Sequence, residues 1–210
     1  MQGKFLVVEG PDFSGKTTQV QRIANYLLSK GHHLLITHEP TKISPFSSKI
    51  REILEKSKDV YQNKEKLTEL FVKDRFYHIK KIIKPVLKKG INVISDRYDL
   101  STLAYQHTQG MPLDSLLKLH KGIIQPDLTI VIDVKPENLE KRRRKAKRKF
   151  RAVFEKPEMK EFRKKLVVNY KKISRKLKEK GRKIEIVDGN RSEDEIFKRI
   201  KKLIDKIFNF

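Results

Sequence analysis

Eight residues near the N-terminus have the types and spacing of a phosphate-binding loop. In loops of the pattern G-x-x-x-x-G-K-S/T, glycine admits a phosphate close to backbone N–H groups, and the lysine spans the β- and γ-phosphates. The threonine or serine hydroxyl ligates Mg²⁺. The pattern therefore predicts an ATP site in which Lys16 is catalytic and Thr17 binds the metal. The predicted site consists of Gly10, Pro11, Asp12, Phe13, Ser14, Gly15, Lys16, Thr17 and Thr18.

Apolar runs and helix-like segments alternate along the chain and must position this loop. Because the loop lies between an apolar run and a helical pattern, a chance glycine-rich turn is the weaker interpretation. The alternation predicts an α/β, three-layer P-loop NTPase fold, a five-stranded parallel sheet with helices on both faces, in a single domain spanning 1–210. The predicted strands are 5–8, 33–37, 91–95, 128–132 and 183–187. The predicted helices are 16–29, 45–55, 64–88, 113–123, 136–149, 158–180 and 193–208.

A proline and a capping pattern give further information on where two of the predicted helices begin and end. Pro85 lies inside the helix predicted at 64–88, and because proline lacks an N–H and crowds the preceding turn, it should kink or shorten that helix. Ser192, followed by Glu195, should form a capping box before the last helix.

A carboxylate and a guanidinium follow the third predicted strand. Ligands of open α/β sheets bind at the carboxyl ends of the strands, so Asp96 and Arg97 should face the phosphate-binding loop. Asp96 is predicted to hold Mg²⁺ or its waters, and Arg97 to clamp a second phosphate. Since an ionised phosphate acceptor needs no general base, both residues are predicted to be catalytic through positioning and charge.

Several short segments occur in a characteristic order and spacing. They are 8–10, 15–19, Glu39-Pro40, 70–75, 96–98, 101–106 and 154–155. In these segments the chain resembles the thymidylate kinase family. The resemblance implies transfer of the γ-phosphoryl group of ATP to dTMP with Mg²⁺ as cofactor, which forms dTDP for dTTP synthesis, and it implies a homodimer.

The resemblance also implies a role for individual residues. Asp12 matches the carboxylate that bonds the sugar 3′-hydroxyl, Phe71 the ring that stacks on thymine, and Arg75 the residue that bonds a thymine carbonyl. Tyr105 matches the ring that crowds the sugar 2′ position. The remaining predicted substrate-binding residues are Glu39, Pro40, Arg97, Ser101, Thr102 and Gln106.

The residue patterns leave other interpretations open. Phe71 has the helical spacing of a core face, Arg75 could be a charge on a solvated helix, and Tyr105 could be a packing aromatic. Many family members have arginine before Glu-Pro and two glycines after it, whereas this chain has His38 before and Thr41 after. The segment 189–191 either contacts adenine, as the resemblance implies, or is a simple turn.

A basic run predicts a flexible lid at about 141–155. Only two residues of 141–151 are uncharged, and such self-repulsion predicts mobility until an anion binds. Some family members take a catalytic arginine from the phosphate-binding loop, but this chain has Phe13 there, so the resemblance implies an arginine from the lid. Arg142 and Arg143 are candidates, and the residues assigned as catalytic are Arg144, Arg148 and Arg151.

The net charge of +24 concentrates in the last third of the chain. Residues 134–210 hold 29 Lys and Arg against 12 Asp and Glu, a net +17. Such a surface either attracts nucleotides or binds nucleic acid non-specifically, and charge alone does not separate the two. The alternatives to a thymidylate kinase are therefore another nucleotide or deoxynucleoside kinase and a P-loop nucleic-acid-binding ATPase. The absence of a long apolar segment and of an N-terminal signal predicts a cytoplasmic protein without a membrane partner.

Overall fold

A five-stranded, all-parallel sheet lies at the centre of the molecule. The structure is a computed structural model that describes residues 2–146 and 152–210. The strand order is β2-β3-β1-β4-β5, and the predicted α/β fold is confirmed. Each strand ends one residue later than the sequence predicts. The strands are β1 (Phe5–Glu9), β2 (Leu34–His38), β3 (Asn92–Asp96), β4 (Leu128–Asp133) and β5 (Ile184–Asp188).

Helices cover both faces of this sheet. The described residues form α1 (Lys16–Ser29), α2 (Ser47–Lys56), α3 (Lys64–His78), α4 (Lys84–Lys88), α5 (Asp99–Thr108), α6 (Leu113–Leu119), α7 (Pro136–Lys145), α8 (Lys160–Glu179) and α9 (Glu193–Phe208). Short 3₁₀ turns lie at Val153–Glu155 and Pro157–Met159. The capping box of α9 is confirmed, since Ser192 Oγ accepts from Glu195 N at 3.3 Å and Ser192 N donates to Glu195 Oε2 at 3.0 Å. No helix within the described ranges has the length and apolar character needed to span a membrane.

Helix α5 is missing from the sequence-based prediction. Nine of its ten residues are buried, among them polar ones such as Ser101 and Thr102. A helix buried on every side has no polar face, so the apolar period that reveals a surface helix is absent.

The helix predicted at 64–88 is not one regular α-helix, as Pro85 predicts, because its first α-helical part, α3, ends at His78. Helix α3 continues through a π-helical turn, Ile79–Ile83, directly into α4, with Pro85 in the first turn of α4. Proline removes one N–H donor and crowds the carbonyl four residues before it, and a widened π turn relieves both constraints.

The two faces of β1 pack against different helices because successive side chains point to opposite sides of a strand. Leu6 and Val8 pack into the core that α1 and α9 share. Phe5 and Val7 pack with Ile83 and Leu87 on the other face. Burial on both faces fixes β1 in the centre of the sheet, and the loop that follows β1 is held at its carboxyl end.

Two adjacent leucines of α1 test this packing. Leu27 is fully buried in the core beneath α9, whereas Leu28 is 54% exposed. We expect Leu27→Ala to lower the free energy of unfolding by about 2–5 kcal/mol, because it leaves a cavity. Leu28→Ala, the matched control on the same helix, should change it by no more than about 0.5 kcal/mol. Equilibrium urea unfolding measures both, and equal losses would contradict the assigned core.

Candidate active site

The phosphate-binding loop connects β1 to α1 in a backbone conformation that glycine makes accessible. Gly10 has φ 145°, and a Cβ atom there would lie 2.8 Å from Ser14 Oγ and 2.9 Å from the carbonyl oxygen of Ile132. Gly15 has φ 94°. Helix α1 begins at Lys16, whose Nζ donates to the carbonyl oxygen of Pro11 at 2.9 Å. The loop thus presents a helix N-terminus and a lysine on the same side, as phosphate binding requires.

Thr17 and Asp96 meet across the gap between this loop and β3. Thr17 Oγ1 donates to Asp96 Oδ2 at 2.9 Å, while the buried Asp96 Oδ1 has no hydrogen-bond partner among the described residues. A free carboxylate oxygen beside a hydroxyl suits Mg²⁺, which binds through one or two protein oxygens and completes its shell with water and phosphate. The described residues hold no cluster of three or more His, Cys, Asp or Glu groups that could cage a metal on its own.

Arg97 links the loop after β3 to the phosphate-binding loop. Its Nη2 lies 2.6 Å from Asp12 Oδ1, and its Nη1 donates to the carbonyl oxygen of Gly10 at 3.2 Å and to Ser101 Oγ at 2.9 Å. Arg97 has φ 75°, a left-handed conformation that costs a non-glycine residue energy and that these contacts stabilise. Burial alone would raise the pKa of Asp12, but the charges of Arg97 and Lys16 overcome that effect and lower the pKa to about 2.

A second, fully buried carboxylate, that of Glu9, supports Arg97 through Ser101 and Tyr170. Glu9 accepts hydrogen bonds from the backbone N–H groups of Tyr98 (2.7 Å) and Ser101 (3.1 Å), from Ser101 Oγ (2.7 Å) and from Tyr170 Oη (3.2 Å). Burial raises the pKa of Glu9, and the hydrogen bond from Ser101 and the charge of Arg97 offset this only in part. Tyr170 Oη also accepts from Arg97 Nη1 at 3.3 Å, so α8 contacts the arginine through this hydroxyl.

Two cavities adjoin at Arg97. One, of about 370 Å³, is lined by the phosphate-binding loop together with His38, Glu39, Asp96 and Arg97. The other, of about 190 Å³, lies beside it, and the two share Asp12, Glu39 and Arg97 in their linings. The second cavity is lined by every residue predicted to bind the acceptor, namely Asp12, Glu39, Pro40, Phe71, Arg75, Arg97, Ser101, Thr102, Tyr105 and Gln106.

Several polar groups of the smaller cavity are already in place. Tyr105 Oη donates to Asp12 Oδ2 at 2.8 Å. Gln106 Nε2 donates to Gln109 Oε1 at 3.0 Å, and the buried Gln106 Oε1 has no hydrogen-bond partner in the described part of the chain. Phe71 is half-buried, with its neighbours Leu67 and Leu70 in the small core around α2. Phe71 therefore both packs against that core and lines the cavity.

Arg75 is not a solvated charge, because only 2% of its surface is exposed. Its Nε donates to Glu39 Oε2 at 2.8 Å, and its Nη2 donates to the carbonyl oxygen of Tyr98 at 2.9 Å and to Thr102 Oγ1 at 3.1 Å. Its Nη1 contacts His120 Nε2. Burial and the neighbouring Arg75 lower the pKa of His120 to about 4, so at neutral pH His120 is uncharged and accepts from Arg75.

The loop in which the chain departs from the family pattern is fixed by α3. Asp74 accepts from Thr41 N at 2.8 Å and from Thr41 Oγ1 at 2.6 Å, and it also accepts from Ser44 Oγ. Glu39 Oε1 accepts from His78 Nδ1 at 3.0 Å. Adjacent residues of α3, Asp74 and Arg75, therefore hold both ends of the segment around Pro40 without the glycines common in the family.

The basic run after β4 is partly helical. Lys141–Lys145 complete α7, which therefore ends four residues earlier than the helix predicted at 136–149, and the mobility of the lid stays a prediction. Arg142 donates to the carbonyl oxygens of Ser14 (2.9 Å) and Gly189 (2.6 Å), and the buried Arg143 pairs with Glu140 at 2.9 Å. Arg144 is exposed at the helix end. Arg148 and Arg151 lie outside the described residues.

The turn at 189–191 contacts the start of α7. Asn190 Oδ1 accepts from Lys135 N at 2.8 Å and from Asn138 Nδ2 at 3.0 Å. A Cβ atom at Gly189 would lie 2.5 Å from Ile132 Cγ2, so glycine permits this close approach. With Arg142 between Gly189 and Ser14, the turn lies next to the phosphate-binding loop.

Sequence reasoning missed Tyr170 and His120. Both side chains contact a predicted site arginine, but Tyr170 is 73 residues from Arg97 in sequence and His120 is 45 from Arg75. Tyr170 lies on the apolar face of α8 and His120 directly follows α6, and in neither place does the sequence pattern distinguish a site residue from a core residue. Only the fold brings them to the site.

The phosphate-binding loop at the end of β1 lines one cavity, and a second cavity adjoins that one at Arg97. A donor site and an acceptor site side by side define the chain as a P-loop phosphotransferase. The comparisons with known proteins define it more closely. A model of the thymidylate kinase family matches residues 8–200. The chain is 37% identical over 207 residues to a probable thymidylate kinase of Pyrococcus abyssi, with 97% of each chain covered. It is 36% identical over 204 residues to the thymidylate kinase of Mesoplasma florum, covering 95% of this chain and 94% of that one.

The chain therefore belongs to the thymidylate kinase family, which uses ATP as phosphate donor. The family predicted from the sequence is confirmed, and so is a kinase activity. The role of each site residue remains a prediction.

The charge of Lys16 generates a prediction about pH. Burial and the nearby charge of Arg97 lower the pKa of Lys16 to about 8. Only the protonated amine attracts phosphate, so ATP affinity should be full below pH 8 and should fall by up to about tenfold per unit above it. Lys16→Arg, which stays charged, should remove this slope even if it binds ATP more weakly. Calorimetric titration with ATP from about pH 7 to about pH 9 measures both proteins, and parallel profiles would contradict the assignment.

Proposed function

We propose that the chain transfers the γ-phosphoryl group of ATP to dTMP, forming ADP and dTDP in the synthesis of dTTP. The observation that carries this proposal is the junction of the two cavities at Asp12 and Arg97. One cavity has the phosphate-binding loop, and the other is lined by all ten residues that family resemblance assigns to the nucleotide acceptor. An acceptor phosphate at the junction lies next to the γ-phosphate, as in-line transfer requires.

On the donor side, the N-terminus of α1 and Lys16 bind the phosphates of ATP. Thr17 Oγ1 and Asp96 Oδ1 would hold Mg²⁺, which neutralises phosphate charge when bound. Asp96 Oδ1 is the unpaired oxygen, and Asp96 Oδ2 already accepts from Thr17, so the carboxylate is oriented before the ion arrives. Preorganised charge of this kind stabilises the transition state without reorganisation during the reaction.

On the acceptor side, Arg97 binds the phosphate of dTMP. Within the described part of the chain its Nη1 contacts only neutral oxygens, those of Gly10, Ser101 and Tyr170. It can exchange them for a phosphate oxygen while Nη2 stays paired with Asp12. A pKa of about 2 keeps Asp12 ionised. The carboxylate can therefore accept a hydrogen bond from the sugar 3′-hydroxyl, but it cannot act as an acid catalyst. No general base is needed because the acceptor is an ionised phosphate.

In this proposal thymine binds in the smaller cavity, at the end away from the phosphate-binding loop. Phe71 offers a ring face for stacking, and Gln106 Oε1 offers an unpaired acceptor to the base. Arg75 is held against Glu39 and Thr102, so the carbonyl contact implied by resemblance comes from a fixed guanidinium. Tyr105 is fixed by Asp12 at the sugar end, where a ribose 2′-hydroxyl would meet its ring.

The catalytic lid arginine is proposed from resemblance and position. Arg142 and Arg143 are occupied by carbonyl and carboxylate oxygens, which leaves Arg144, Arg148 and Arg151 as the residues we assign. An arginine of this kind contributes about 10³- to 10⁵-fold in related transfers. A homodimer and a cytoplasmic location belong to the same proposal and are supported by the family resemblance.

The acceptor is tested by measuring ADP production from ATP and Mg²⁺ with each common ribo- and deoxyribonucleoside monophosphate. We expect turnover to concentrate on dTMP. Arg97→Ala should reduce it by about 10²- to 10³-fold, because a preorganised contact to the transferring group is lost. Arg199→Ala, which removes an exposed arginine from α9, should leave it unchanged. Turnover with another monophosphate would replace dTMP in the proposal, and ADP production that needs no acceptor would support a P-loop ATPase instead.

Tyr170 generates a separate prediction, because its hydroxyl positions Arg97 without reaching substrate. We expect Tyr170→Phe to lower kcat/KM for dTMP by about tenfold, the value of one hydrogen bond to a charged group, while KM for ATP stays constant. Tyr26→Phe is the matched control, since it removes a hydroxyl bonded to Asp205 at 2.6 Å on the other face of the sheet. Steady-state kinetics with either substrate varied separates the two variants, and identical profiles would indicate a purely structural role for Tyr170.

A further inference from the structure

A groove outside the active site is lined by unpaired positive charge. It lies between α8, the edge strand β5 and the start of α7, has a volume of about 1290 Å³, and shares no lining residue with the two active-site cavities. Three carboxylates line it, those of Asp133, Glu179 and Asp188. The cations that line it are Lys135, Lys171, Lys172, Arg175, Lys176 and Arg191.

Most of these cations have no carboxylate partner. Lys171 pairs with Asp133 at 2.7 Å, and Arg191 lies 3.4 Å from Asp188. For the other four, Lys135, Lys172, Arg175 and Lys176, the described residues provide no ion pair, and all four are exposed. Other helices neutralise their lysines locally, as Glu52 does for Lys49 and Lys56 in α2. Helix α8 has no acidic residue between Glu161 and Glu179.

The cations follow one face of α8. Lys172 and Lys176 are four residues apart, as are Lys171 and Arg175, so each pair repels across one turn of about 5.4 Å. A bound anion with regularly spaced charges relieves this repulsion along the groove, whereas a single small anion relieves it at one point only. The arrangement therefore fits a linear polyanion.

The residues at the bottom of the groove indicate which kind of linear polyanion it fits. Val167, Val168 and Ile186 line it, and none of the lining residues that the structure describes is aromatic. Binding to a single strand without aromatic platforms rests on the phosphates and is therefore independent of base sequence. The groove is concave and runs along only about three turns of α8, so a flexible single strand can follow it more closely than a rigid duplex.

We propose that this groove binds the phosphodiester backbone of single-stranded nucleic acid without sequence preference. The groove lies outside the site of phosphoryl transfer. Its cations are part of the excess positive charge in residues 134–210, so nucleic-acid binding would give a function to part of that charge. Because its lining excludes the phosphate-binding loop and reaches the turn at 189–191 only at Asn190 and Arg191, at one end of the groove, strand binding and ATP binding should be compatible.

The test is fluorescence anisotropy with a labelled oligothymidylate of about 20 nucleotides, titrated with the nucleotide-free protein between about 50 and 200 mM salt. The groove variant is Lys172→Gln, Arg175→Gln and Lys176→Gln together. The matched control replaces Lys198, Arg199 and Lys202 of α9, also two lysines and an arginine, all exposed. The two variants lose the same charge, and thermal melts with ADP production show that each is folded.

We expect the groove variant to bind at least about tenfold more weakly and to reduce the slope of log K against log salt by about 2, whereas the control changes binding by less than about twofold. Equal losses in both variants would overturn the proposal in favour of diffuse attraction. Displacement by ATP would place the strand in the active site, and equal affinity for a duplex of the same length would remove the preference for single strands. Displacement by an equal phosphate concentration of tripolyphosphate would show that the groove binds short phosphate chains and not a nucleic-acid backbone.

Discussion

The ion pair between Arg97 and Asp12 is the interaction on which the site depends. It joins the loop after β3 to the loop after β1, just beyond the backbone hydrogen bond from Arg97 N to the carbonyl oxygen of Val8 at 2.9 Å. Both side chains retain some exposure, 16% and 23%, so the pair is worth less than the about 3–5 kcal/mol lost when one partner of a fully buried pair is removed. Its larger effect is geometric, since it fixes Arg97 between the two cavities.

The supporting groups are arranged to keep Arg97 charged and immobile. Glu9 lies beneath it and holds Tyr98, Ser101 and Tyr170, each through a hydrogen bond. Lys16 lies on the other side of the pair, and burial together with Arg97 lowers its pKa to about 8. The site thus gathers positive charge that destabilises the empty protein and that a polyphosphate relieves. Strain of this kind concentrates where a ligand compensates for it.

Sequence predicted the strands and the phosphate-binding loop because their signals are local. A strand buried on both faces is a continuous apolar run, and Gly10, Gly15 and Lys16 have fixed spacing. The same reasoning failed for α5, whose burial on every side removes the amphipathic period. It also gave no role to His120 or Tyr170, because their partners are brought near only by the crossing of distant elements. Family resemblance, not residue pattern, identified the acceptor cavity as a set.

Charge patterns were the least informative part of the sequence, and the structure gives the physical reason. In α7 two arginines of a dense basic run have partners: Arg142 bonds two carbonyl oxygens, and Arg143 pairs with Glu140. Cations in the last turn of a helix are also stabilised by its dipole, so α7 continues to Lys145 despite the repulsion. In α8, by contrast, Lys172, Arg175 and Lys176 have no carboxylate partner among the described residues. The density of charge along a sequence therefore does not indicate which cations are free to bind a ligand. That depends on carbonyl and carboxylate oxygens that other elements bring within reach, and a fold must be known before those oxygens can be assigned.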